Sequence, residues 1–151
     1  MSDKGKRVIY VGPADGSDHK PLNVEAVATE AIPPGSVLNY AAADAGFELN
    51  DNVGTVFGEI FLVADKDQQR SKSVDDAWTV DENMVAIQPR SGEFMNVLVA
   101  TGQALVHGTA LTRAAGGLLT IAATDGTVEI VAYSDEKRTT AASELIRVRK
   151  A

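Results

Sequence analysis

Residues 31–38 read Ala31-Ile32-Pro33-Pro34-Gly35-Ser36-Val37-Leu38, and residues 104–111 read Ala104-Leu105-Val106-His107-Gly108-Thr109-Ala110-Leu111. Both fit one pattern: small, aliphatic, two variable positions, Gly, hydroxyl, small or branched, Leu. Gly35 and Gly108 stand where a tight turn needs a positive φ, which glycine adopts at no steric cost. The aliphatic residue before each turn and the Leu after it then point from two antiparallel strands into one core. A chain that uses this corner twice is built of strands and turns, not of strands alternating with helices.

The flanking sequence carries the same signal. Leu22–Val27 alternates apolar and polar residues, as a half-buried strand does. Val37–Tyr40 leaves the first corner. Ile60–Ala64 is a dense apolar run, expected as a central strand buried on both faces. Met84–Gln88 and Phe94–Ala100 are strands separated by the turn Pro89–Gly92. After the second corner come Thr109–Thr112, a Gly116-Gly117 hairpin turn and Leu118–Ala122. Val128–Tyr133 and Leu145–Lys150 complete the set; Asp65–Ser73 and residues 134–143 are polar loops. Ser73 is positioned to cap one helical turn through Trp78, with acids in that turn. No other segment keeps a helical period. About ten short strands with frequent Gly turns predict a small barrel or sandwich.

The chain divides into an arm and linker, residues 1–20, and a body, residues 21–151. Lys6-Arg7-Val8-Ile9-Tyr10-Val11 is a strand sequence followed by the turn-forming Gly12–Asp18. One short strand behind such a hinge either returns to the body or pairs with another molecule.

At 151 residues the chain can bury an ordinary core unaided. It has no cysteine, which removes disulfides, thiolate metal sites and thiol nucleophiles together. There is no signal peptide and no apolar run long enough to span a membrane, so a soluble protein without membrane contact is expected. The net charge of −7 is uneven: +1 over residues 1–20, −12 over 21–136 and +4 over 137–151. An acidic body repels phosphate backbones and argues against nucleic acid as a partner. Arg147 and Arg149 alternate with Ile146 and Val148 and read as the solvent side of a strand.

Signals for chemistry are sparse. His19 and His107 belong to no metal-ligand or triad spacing. Asp65/Asp67, Asp75/Asp76, Asp81/Glu82 and Asp135/Glu136 are loop neighbours, expected to be solvated apart rather than paired across a cleft. Asp65-Lys66-Asp67 alternates oxygen ligands as calcium prefers, but a lysine stands between them. Ser36 and Thr109 follow glycines without a histidine to activate them. No catalytic residue, metal or cofactor is expected. One alternative reading makes Lys66 the modified lysine of a lipoyl- or biotinyl-like carrier domain, although only Asp65-Lys66 fits that pattern. A second is a β-barrel enzyme with a carboxylate pair formed across the fold.

Taken in order, several stretches carry a family likeness: the first corner; Asp76-Ala77-Trp78 with Glu82-Asn83-Met84-Val85; Pro89-Arg90-Ser91-Gly92-Glu93-Phe94; Leu98–Gln103; the second corner with Gly116–Leu119; and Ile146–Arg149. This order resembles the capsid decoration (cement) proteins of tailed bacteriophages, including relatives of the lambda-type head decoration protein, over residues 22–150. The family often has an acid after the corner glycine, where this chain has Ser36 and Thr109. The resemblance implies an all-β, barrel-like body of the β-tulip type with an extended N-terminal arm, and no enzymatic activity. It implies a virion protein, made in the host cytoplasm, that binds the outside of the expanded head. There it would clamp neighbouring major capsid protein subunits against internal DNA pressure, commonly as a homotrimer. The arm residues Lys6, Arg7, Val8, Ile9, Tyr10 and Val11 would then meet the capsid. Trp78, the lone tryptophan, is expected to pack in the core or at a trimer contact.

Overall fold

The computed structural model describes residues 6–13 and 21–151. Thirteen strands lie in three sheets, and no α-helix occurs among the described residues. In chain order they are β1 (Tyr10–Gly12), β2 (Leu22–Val27), β3 (Val37–Tyr40), β4 (Phe47–Leu49), β5 (Leu62–Ala64), β6 (Asn83–Gln88) and β7 (Phe94–Val99). There follow β8 (Ala104–Leu105), β9 (Ala110–Ala114), β10 (Leu118–Ile121), β11 (Ala132–Ser134), β12 (Arg138–Thr139) and β13 (Glu144–Lys150). The expected helical turn at Ser73 is only a turn: Asp76 N donates to Ser73 O, and the Asp76 carboxylate accepts from Ser73 N and Oγ.

The five-stranded sheet runs β2-β6-β5-β3-β4. Its central strands are buried on both faces, so the two-residue period sorts their side chains into two cores. Val37, Val63 and Ile87 face the six-stranded sheet and join Met95, Val97, Leu111, Leu119 and Leu145. Leu38, Leu62, Ala64, Met84 and Ala86 face the other way and pack with Ile32, Phe47 and Trp78. The six-stranded sheet runs β1-β7-β10-β9-β11-β13, and β13 pairs with β7 as well, over six residue pairs from Glu144↔Val99 to Arg149↔Phe94. The pairings therefore return to β7. β8 and β12 form the third, two-stranded sheet.

The two corners are built alike. Ser36 N donates to Pro33 O at 3.2 Å and Thr109 N to Val106 O at 3.1 Å. Gly35 and Gly108 have φ of 87° and 88° at the third turn position, as a type II turn requires. Each corner buries its aliphatic pair in one core, Ile32 and Leu38 in the second, Leu105 and Leu111 in the first. Their surroundings differ. Gly35 N donates to Ala64 O (2.8 Å) on one sheet, and Gly35 O accepts from Leu98 N (2.9 Å) on the other. The first corner is thus a backbone seam between the sheets, while Gly108 has open space around its α-carbon.

Candidate partner-binding site

The arm returns to its own body. β1 lies antiparallel on β7, Tyr10 opposite Met95 and Gly12 opposite Phe94. Asn96 holds it twice: its N–H donates to Ile9 O and its Nδ2 to Val8 O, both at 2.7 Å. Ile9 is 1% exposed and belongs to the first core. Burial of that side chain contributes roughly 1.5–3 kcal/mol. Of the arm-and-linker unit 1–20, then, the residue at its centre is part of the body. Arg7, Val8 and Val11 are exposed, and Lys6 and Tyr10 are half-buried. Among the described arm residues, the exposed side chains are therefore one guanidinium and two valines.

Two ionic side chains fasten the arm's beginning. Lys66 Nζ donates to Arg7 O at 2.9 Å, and Lys6 Nζ meets Glu136 Oε2 at 2.8 Å. Lys66 is half-buried in the loop after β5 and engaged with the arm, not displayed at a hairpin tip. Burial alone would raise Glu136, but the Lys6 ammonium, the Arg147 N–H and the Arg138 charge outweigh it and hold the carboxyl below its ordinary 4.5. A depressed carboxylate contributes its stability above the unfolded value and loses it as pH falls through the folded one. Amide exchange across residues 8–12 is expected to accelerate as pH drops below 4.5, relative to the body. Glu136→Gln should remove that dependence; if it persists in the variant, Lys6–Glu136 is not the fastening.

The loop after β5 differs from expectation. Asp65 and Asp67 are not solvated neighbours; they are 7% and 6% exposed. The chain needs them inside: Asp65 Oδ1 accepts from Lys66 N and Oδ2 from Gln68 Nε2, while Asp67 Oδ1 accepts from Arg70 N. Trp78 Nε1 closes the loop on Asp65 O at 2.7 Å, and Trp78 itself is a core residue. Burial pushes the Asp65 carboxyl up, against the opposing pull of the Lys66 N–H and Gln68. Beside this loop lies a cleft of about 310 Å³, lined by Asn23, Glu25, Asp65, Asp67 and Arg70 among others.

The remaining sequence candidates do not converge. Ser36 is buried at the seam. His107 lies exposed, its Nδ1 3.7 Å from Asp135 Oδ1, and His19 lies outside the described residues. No group of three or more His, Asp or Glu able to hold a metal occurs among the described residues. The sequence did not mark Asn96, whose amide clamps the arm, because an Asn inside a strand looks like an ordinary polar position.

A scan against protein-family models and a search of curated proteins each found no match to this chain.

Proposed function

We propose that this chain is a non-enzymatic structural protein of a phage virion. In this reading it binds the outer surface of the expanded head and cements neighbouring major capsid protein subunits, acting as a homotrimer. The observation that carries the reading is the arm. It is a three-residue edge strand, clamped by one asparagine and two lysine contacts, with Arg7, Val8 and Val11 turned to solvent. A short strand at a sheet edge suits main-chain pairing with another protein, and three such arms on one trimer would act together. The circuit of pairings through β7, β10, β9, β11 and β13 supports a barrel-like, β-tulip type of body.

The test is co-sedimentation with expanded, undecorated heads of the phage that encodes the protein. Saturable binding that protects the heads from heat is expected. Removing residues 1–12 should abolish binding and also lower stability, because Ile9 leaves the core. Arg7→Glu/Val8→Asp/Val11→Asp, which leaves Ile9 in place, separates the two effects: it should fold normally and bind at least tenfold more weakly. Binding equal to wild type would remove the arm from the contact.

A further inference from the structure

The five-stranded sheet ends at β2, and among the described residues no strand pairs with the outer side of Leu22–Ala26. β2 has a regular register of six pairs with β6, from Leu22↔Gln88 to Val27↔Asn83, and no other strand partner among the described residues. It contains no proline and no bulge, two of the devices that usually blunt an edge. Leu22 is 60% exposed. Only at its far end is the edge closed, where Ala28 bridges to Phe47 and Thr29 N and Oγ1 both donate to Phe47 O. Among the described residues, Leu22–Ala26 thus offer an open stretch of backbone.

The cleft described above adjoins this edge. Asn23 and Glu25 of β2 form one of its walls, and both are exposed. Its lining holds three carboxylates, Glu25, Asp65 and Asp67, against two cations, Lys66 and Arg70. Glu25 is free to meet solvent, and Asp65 and Asp67 are buried behind it. Asp67 Oδ2 accepts no hydrogen bond; Arg70 Nε is 3.5 Å away. Of the two cations of the lining, Lys66 holds the arm carbonyl, and Arg70 is shared between Asp67 and Glu82, so Glu25 is an exposed lining carboxylate with no cation paired to it among the described residues.

We propose that the open edge of β2, with this cleft, accepts an extended basic segment of the capsid subunit by strand addition. The proposal rests on the decoration reading and adds a second contact, in which the body receives a strand. An added strand lies about 4.8 Å from β2. Its residue opposite Glu25 should be Lys or Arg, since an opposite charge across strands stabilises and a like charge destabilises. Its alternate residues, beside Val24 and Ala26, should be apolar, because those two side chains rest on the second core. The same charges disfavour a second copy of this chain, which would set two acidic clefts against each other.

Hydrogen exchange of the wild-type protein with and without undecorated heads tests this, together with head binding by Glu25→Lys. Glu25 is exposed, so the variant should fold. Binding of wild type with exchange in Leu22–Val27 slowed at least tenfold, and Glu25→Lys binding about tenfold more weakly, is the expected result. Binding of wild type with unchanged exchange in β2 and undiminished binding by Glu25→Lys would overturn the β2 contact and leave the decoration reading standing. No binding by wild type would overturn both. Slowed exchange in Leu22–Val27 on concentrating the free protein would put a second copy on the edge and overturn the proposal.

Discussion

Gly35→Ala is expected to destabilise the fold by about 2–5 kcal/mol, and Gly108→Ala by only about 1–2 kcal/mol, although both residues occupy the same place in the same motif. Both substitutions put an L side chain at positive φ, a strain of about 1–2 kcal/mol. They differ in what the new methyl meets. At Gly108 nothing lies within 4 Å. At Gly35 the methyl would overlap Leu145 Cδ2, with Asn96 O and Leu98 Cγ each at 3.5 Å. Leu145 is wholly buried, so it cannot swing into solvent, and overpacking of this kind costs about 1–3 kcal/mol more. Displacing the corner would also strain the two seam hydrogen bonds, to Ala64 and Leu98. Urea denaturation of the two variants side by side decides it. Equal losses would mean that the seam relaxes freely and that the corners are equivalent after all.

Arg113→Ala is expected to cost about 3–5 kcal/mol, the usual range for breaking a buried ion pair. Arg113 sits on β9 at 1% exposure. Its guanidinium donates to Glu129 Oε2 at 3.0 Å and to Glu59 O at 2.9 Å, and lies 5.9 Å from the centre of the Phe61 ring. Lys150 approaches the same ring at 5.7 Å. Burial pushes the Lys150 ammonium down, with Glu129 opposing and Arg113 adding to the effect. Glu129 also accepts from Gly58 N, so this one cluster fixes the loop between β4 and β5 to the six-stranded sheet. Arg113→Met restores bulk without charge and should recover part of the loss. Adding Glu129→Gln to it should recover more, by relieving one of the two carboxylates, Glu129 and Glu59, that lose the guanidinium. If Arg113→Met alone matches wild type, the pairing contributes nothing and the site is held by packing.

Where local pattern decides a strand, the sequence predicts its bounds closely. Leu22–Val27 and Val37–Tyr40 form as expected, one from strict alternation and the other because the Pro-Pro-Gly corner fixes its start. Ile60–Ala64 shortens to Leu62–Ala64, since Ile60 is 53% exposed on the loop that Arg113 fastens. Val128–Tyr133 shrinks to Ala132–Ser134 for a related reason: Glu129 N is taken by Gly54 O before the strand can begin. The polar stretch 134–143 hides β12, a two-residue ladder with β8 that no propensity would reveal. The candidate site was legible in part. The strand character of Lys6–Val11 is plain, but whether Ile9 points into a core depends on Asn96, 87 residues along the chain. Asp65 and Asp67 read as solvated because their donors, Lys66 N, Gln68 Nε2 and Arg70 N, are those of any polar turn, while their burial comes from the packing of that turn against the body. Nothing local distinguishes Arg113 from a surface arginine.

The docking of the arm on β7 also bears on how the chain is made. β13, which supplies β7 with its longest ladder, begins about 45 residues after β7 ends. At roughly 5–20 residues per second, a ribosome needs about 2–9 s to deliver it. During that interval the apolar face of β7, with Met95, Val97 and Val99, would lie open to neighbouring nascent chains. β1 is synthesised long before, and it is the earliest strand partner that β7 meets. Ile9, packed in the same core, and the Val8 and Ile9 carbonyls held by Asn96 would then guard part of that face and the edge of β7 opposite the one β13 takes, at work before any partner molecule is present.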